Sequence, residues 1–370
     1  MTPWTRALRA ALTDFFFPVT LIVAFIAAGI VVQWNGMHPG FMKPMGYAPS
    51  FALFSLTGLL QVVSVLTWFR WRQKIERRWT PGWNGWRTAW VESTRHTLTR
   101  SRVVRLAIMC LFIPLLLNTF GCWKLAIPWW AGFRWEEHLI ELSRAIHGGV
   151  SGWHLLQPAL GRPAVTVVLD RIYFTWLGVY VGMVFWLGVW RPESSDRRKF
   201  LLALTLVWLG LGALAATAGA SAGPIFLDRV LPGVDAYDEM FDYLAVVHQS
   251  TSLMTLEARE ILWAAYLERW GEPFTGISAF PSIHVSTASL YVLALWGSGW
   301  TRVILASLYA LATMVSSVHL GWHYAVDVYA GVLGAIACWT AAGLWLRFVR
   351  TGSASMLRLE GWQSSNQRRR

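Results

Sequence analysis

The sequence predicts an all-α fold, a polytopic bundle of about eight transmembrane helices with amphipathic helices outside the membrane. Three observations lead there. Of the 370 residues, 55% are hydrophobic and only 14% charged, whereas a water-covered domain carries about 25% charge. Eight apolar stretches, 15–34, 51–69, 105–122, 171–190, 200–219, 284–298, 303–321 and 326–346, reach or approach the length of a spanning helix; that length is about 20 residues for a hydrocarbon core of ~30 Å. Basic residues, finally, gather in alternate connections between those stretches, as the positive-inside rule expects.

The first stretch follows a basic N-terminus (Arg6, Arg9). It is too long for a signal-peptide core and lacks a small-residue cleavage site, so it reads as an uncleaved span. The second is followed by a loop with Arg70, Arg72, Lys74, Arg77, Arg78, Arg87, Arg95, Arg100 and Arg102, and Arg105 opens the third. The loop after the fourth holds Arg191, Arg197, Arg198 and Lys199; the turn after the sixth holds Arg302, and the tail closes on Arg368-Arg369-Arg370. With eight spans and both termini cytoplasmic, every one of these clusters falls inside. Three connections that are not simple turns then lie outside: 123–170, 220–283 and the corner 321–326. Within them, 135–147 and 255–270 place apolar residues at helical spacing opposite a charged face, the pattern of helices lying along a membrane surface. The sixth stretch is short and polar at its start, so its outer end is expected to extend into a protein-lined cavity.

The net charge of +12 is accounted for by these membrane-flanking clusters, so no nucleic-acid partner is expected. The 25 Trp and 10 Tyr suit the membrane–water interface. Cys110, Cys122 and Cys338 form no CxxC pair and read as small buried hydrophobes. Asp228, Asp235, Asp238, Glu239 and Asp242 read as a solvated face, and Lys124, near the outer end of the third span, as a snorkelling lysine. No repeat or low-complexity tract divides the chain, which reads as one membrane domain extended by an N-terminal three-span region, residues 1–130.

Two stretches break the apolar pattern at the outer face. Phe280-Pro281-Ser282-Ile283-His284-Val285-Ser286 opens the sixth span; Ser316-Ser317-Val318-His319-Leu320-Gly321-Trp322-His323-Tyr324-Ala325-Val326-Asp327 joins the last two. Ionisable groups at membrane depth cost about 2.5–3.5 kcal/mol on insertion scales, which makes function their first reading. A tight inner turn (Gly297-Ser298-Gly299) brings the two stretches to one pocket. His323 and Asp327 are i and i+4, spacing that lets a carboxylate take the imidazole N–H and leaves the other nitrogen as nucleophile or base. Ser282 and His284 open a helix after Pro281, where free N–H groups favour a phosphate. A second histidine facing the first is placed to protonate a leaving oxygen. Together these residues describe in-line phosphoryl transfer through a phosphohistidine, which needs no cofactor and no metal.

The pattern Pro-Ser-x-His, then Ser-x-x5-His-x3-Asp, resembles the second and third signatures of the type 2 phosphatidic acid phosphatase superfamily. FPSIHVS and WHYAVDVYAG are most similar to its inositol phosphorylceramide synthase-like (inositolphosphotransferase-like) branch and the bacterial relatives of that branch. The resemblance covers roughly 171–346 and implies a catalytic membrane domain over 131–370. It implies His323 as nucleophile, Asp327 as its partner, His284 as acid and Ser282 in the phosphate cradle. Ser221, Gly223 and Pro224 resemble the segment that lines the pocket in that branch, and Ser317 stands where the superfamily has arginine. The first signature (Lys, six residues, Arg-Pro) is absent, which leaves Arg162, Arg171 and Arg229 as candidates for the missing cation. The implied substrate is a lipid phosphate or phosphodiester, and the implied location a bacterial inner membrane with the site on its extracytoplasmic face. Water as acceptor makes a phosphatase, a lipid or sugar hydroxyl a head-group phosphotransferase.

Two other readings compete. His319, His323 and Asp327 also have metal-ligand spacing, but a metal leaves Pro-Ser-x-His unexplained. A transporter or lipid-binding protein would use the polar cluster as a relay, yet the ionisable residues gather at one corner and trace no path through the spans. His319 reads as structural, and His147, His154 and His248 as ordinary residues of the outer segments.

Overall fold

The computed structural model describes residues 2–34, 98–191, 194–268 and 275–367, with isolated positions between 56 and 67. All regular structure among the described residues is helical. The elements are α1 (Pro3–Trp34), α2 (Arg100–Ala131), α3 (Glu136–Ile146), α4 (Gly152–Leu160), α5 (Pro163–Phe174), α6 (Trp176–Phe185), α7 (Ser194–Thr205), α8 (Asp238–Ser250), α9 (Met254–Leu267), α10 (Ile283–Leu295), α11 (Trp300–His319) and α12 (Ala325–Gln367). α6 and α7 run on into wider π-helical turns, Trp186–Trp190 and Leu206–Ala215.

Six helices among the described residues are long and apolar enough to cross a membrane: Pro3–Val31, Arg100–Ala131, Pro163–Trp190, Ser194–Ala218, Trp300–His319 and Ala325–Thr351. The protein is thus an integral membrane protein. The expected stretch 51–69 and the basic loop after it lie almost wholly outside the described residues. The stretch 284–298 is the short apolar helix α10. Its 13 residues give a rise of roughly 20 Å, less than the hydrocarbon core.

The fourth span starts at Pro163, well before the position the apolar run suggests. The reason is local chemistry. Asp170 and Arg171 interrupt the run, but Asp170 is fully buried and accepts the Met254 and Thr255 N–H groups at 2.9 Å each, capping α9. Arg171 donates to Ser252 O at 2.8 Å and lies 3.4 Å from Asp170. The two outer amphipathic segments fold as α3 and α9, close to their expected limits.

Two apolar cores hold most of the buried apolar side chains among the described residues. The larger joins Phe15 and Ile22 of α1, Phe112 and Leu116 of α2, Tyr180 and Phe185 of α6, and Phe200 and Leu204 of α7 to Leu290 and Tyr291 of α10. The smaller packs Leu139, Trp153, Tyr173, Phe226, Met240, Leu244, Leu320 and Tyr324 under the connecting segments. At the end of the bundle away from His323, Arg197 departs from the solvated inner-loop cation expected of it. It is 1% exposed and donates through Nε and Nη2 to Asp14 Oδ2 at 2.8 and 2.7 Å.

Candidate active site

The site lies where the two cores meet. His323 follows the turn that ends α11, where Gly321 (φ +77°) reverses the chain in the left-handed region. A Cβ at Gly321 would sit 2.6 Å from Met240 Sδ, so shape and backbone both call for glycine. The His323 N–H donates to Ser317 O at 3.2 Å, which hooks the loop back onto α11. Asp327, in the first turn of α12, accepts the Tyr324 N–H on Oδ2 at 2.9 Å. The same oxygen lies 3.6 Å from His323 Nδ1. That is an ion-pair contact and longer than a hydrogen bond, and neither Nδ1 nor Asp327 Oδ1 has another partner. Such contacts are often long without substrate and tighten with it. Both side chains are nearly sealed from solvent, His323 at 6% and Asp327 at 0% exposure.

His284, in the first turn of α10, is held by aromatic rings. It stacks on Tyr173 (centroids 4.9 Å, 24°) and leans on Trp176 (4.2 Å, 50°). Its ring centroid lies 6.3 Å from that of His323. Both histidines line one cavity of about 380 Å³. Most of its wall is apolar or aromatic, including Leu117, Phe120, Phe174, Trp176, Leu177 and Trp322.

The other residues singled out in the sequence surround this pair in different ways. Ser282 is the N-cap of α10, fully buried, with its Oγ accepting the Val285 N–H at 3.4 Å; the cavity wall is formed by its neighbours Pro281, Ile283 and His284. Ser221 accepts the Phe280 N–H on Oγ at 3.2 Å and the Ala279 N–H on its carbonyl at 2.8 Å. Gly223 (φ +88°) brings its backbone against the Trp322 carbonyl, 2.7 Å from where a Cβ would be. After Pro224, the Ile225 N–H donates to Gly321 O at 2.7 Å. The 221–224 segment therefore braces both histidine-bearing loops, and Ala222 from it reaches the cavity. Ser317 is buried, with Oγ donating to Met314 O. It holds His323 through its carbonyl and does not line the cavity.

His319 turns away from His323 and Asp327, its Nε2 lying 2.9 Å from Thr166 Oγ1. Among the described residues no three His, Cys, Asp or Glu gather as a ligand set for a metal. His147 contacts Tyr329 Oη, His154 contacts Glu239, and His248 accepts the Leu253 N–H. None of Arg162, Arg171 and Arg229 reaches the cavity wall.

Two residues take places the sequence does not assign them: Lys124, expected as a snorkelling lysine, and Glu136. Lys124 of α2 lines the cavity beside both histidines. Glu136, which has the look of a wet-face residue of α3, is 2% exposed. Its Oε1 accepts the Ala222 N–H and its Oε2 the Tyr324 Oη–H at 2.6 Å, so one carboxyl ties the 221–224 segment to the residue after His323. Burial pushes its pKa up to about 7 against those hydrogen bonds, which pull it down. No spacing rule signals either residue, because each depends on which segment folds over its helix.

These features define a class first: an all-helical membrane protein with paired imidazoles, one backed by a carboxylate, on the wall of an apolar cavity. A family model described as the PAP2 superfamily matches residues 137–341, more than half of the chain, and the chain belongs to that superfamily. Comparison with curated proteins and with solved structures returns no match. Membership points to phosphatase or phosphotransferase chemistry on a membrane-associated substrate.

Proposed function

We propose that the protein transfers the phosphoryl group of a lipid phosphate or phosphodiester through a phosphohistidine on His323. The observation that carries this is the pairing of the His284 and His323 rings, 6.3 Å apart on one cavity wall, with Asp327 3.6 Å behind His323. Asp327 holds Nδ1–H and so fixes the tautomer that leaves Nε2 free to attack. As the N–P bond forms, the P–O bond to the leaving group breaks, and His284 gives its proton to the departing oxygen. An acceptor hydroxyl then returns a proton to His284, its oxygen bonds to phosphorus, and the P–N bond breaks. Water as acceptor yields a phosphatase; a lipid or sugar hydroxyl yields a head-group phosphotransferase. The likeness of FPSIHVS and WHYAVDVYAG to the inositol phosphorylceramide synthase-like branch supports the second outcome. The alternating basic loops support an extracytoplasmic site, and the likeness to bacterial relatives of that branch supports a bacterial inner membrane.

Wild type, His323→Ala, His284→Ala and Asp327→Asn, purified in detergent, test this on a panel of lipid phosphates and phosphodiesters. Loss of a general acid costs 10²–10⁴-fold, the range expected for His284→Ala, and His323→Ala should abolish both turnover and acid-labile phosphoenzyme. A chelator should leave the rate unchanged. Full activity in His323→Ala, or no turnover of any panel lipid, would end the proposal.

A further inference from the structure

Phosphoryl transfer needs positive charge on the non-bridging oxygens as well as an acid and a nucleophile. The arginines expected to supply it are occupied or remote. Arg171 is bound to Asp170 and Ser252, Arg229 is paired with Glu260 and lies over the Trp263 ring, and Arg162 is exposed at the start of α5. Lys124 is placed differently. It is the one Lys or Arg among the described residues on the wall that carries His284 and His323. Its ammonium is near enough to bear electrostatically on His284, and no carboxylate among the described residues acts on it in return. Its backbone is fixed as well, since Gly276 packs so closely that a Cβ there would lie 2.8 Å from the Lys124 carbonyl.

A cation kept in apolar surroundings without a counter-ion is costly, and in a membrane protein such a group marks a binding site before it marks structure. The geometry points to Lys124 as the group that binds the substrate phosphate, with an apolar chain of the same ligand lying along Leu117, Phe120, Phe174, Leu177, Ile261 and Leu262. The inference rests on the phosphoryl-transfer reading and deepens it. It also draws a ligand contact from α2, which precedes the family-matched residues 137–341.

The test is binding, read separately from turnover. Thermal midpoints of detergent-purified wild type, Lys124→Met, Lys124→Gln and Lys124→Arg are titrated with inorganic phosphate, orthovanadate and a short-chain lipid phosphate. Without ligand, Lys124→Met should melt at or above wild type, because an uncompensated charge is gone; Lys124→Gln serves where the Met variant fails to fold. With ligand, the half-effect concentration should rise about 10- to 100-fold in the Met and Gln variants, the weight of one hydrogen bond to a charged group. Lys124→Arg should recover part of it. Stabilisation by the lipid phosphate but not by inorganic phosphate assigns the site to the lipid and still supports the role of Lys124, provided that Lys124→Met loses it. Equal half-effect concentrations in wild type and Lys124→Met overturn the inference, as does a wild type that no probe stabilises at millimolar concentration. If binding depends on Lys124 while no panel lipid is turned over, the inference stands and the proposed reaction falls.

Discussion

Glu136 joins two loops through a single carboxyl, so its protonation state bears on both. Its pKa in the fold is about 7 against an ordinary 4.5, so between those values the folded protein holds a proton that the unfolded chain has released. Stability from this group is therefore fully present below about pH 4.5 and is lost as pH rises through 7. At about 1.4 kcal/mol per pH unit, the window amounts to the order of 3 kcal/mol. Glu136→Gln should flatten the fall in thermal midpoint between pH 4.5 and 7.5, and an unchanged slope would refute this. Glu136→Ala should be worse than Gln at every pH, because it strands the buried Ala222 N–H and Tyr324 Oη–H, each at about 1–3 kcal/mol. At this scale the sequence is half legible. His323 and Asp327 announce themselves by their i, i+4 spacing. Glu136 does not, since helical periodicity marks a polar face without saying that another segment will cover it.

α10 shows the same division one level up. Its apolar run is plain in the sequence, but its brevity has meaning only once Pro281, Ile283 and His284 are seen on the cavity wall. Ser282 caps it, its Oγ accepting the Val285 N–H in the turn that carries His284. Ser282→Ala should cost about 1 kcal/mol and Ser282→Gly only a few tenths, measured as loss of thermal stability, with activity following stability in both. If the two variants lose activity equally while Gly keeps its stability, the Ser282 hydroxyl contacts the phosphate, as the family resemblance implies, and the cap is incidental. The wider turn at Leu206–Ala215 was not legible, because apolar composition fixes a helix without fixing its hydrogen-bond step. It carries Trp208 and Gly212 to the same cavity, a place where such turns recur.

Across the whole molecule, the buried Asp14–Arg197 pair ties α1 to α7 at the end opposite His323, with Arg105 of α2 and Arg198 of α7 each 3.7 Å from the same carboxylate. Removing one partner of a buried pair costs about 3–5 kcal/mol, whereas replacing both with apolar groups is often neutral. Asp14→Ala should therefore abolish a monodisperse preparation or lower its thermal midpoint sharply, and adding Arg197→Met should restore most of the loss. A double variant no better than the single would show that the pair is not what holds α1. Hydropathy found both helices, yet counted Arg197 as a topological marker, because a cation at a helix end looks the same in sequence whether water or an aspartate receives it. Along the chain, Arg105 of α2 is the first cation among the described residues to come within 3.7 Å of Asp14, but the guanidinium that hydrogen-bonds to it, Arg197 of α7, follows 183 residues after it. The N-terminal helix, packed on α2 through Phe15 and Phe112, is thus locked to the family-matched body by a buried ion pair whose two halves lie far apart in the chain.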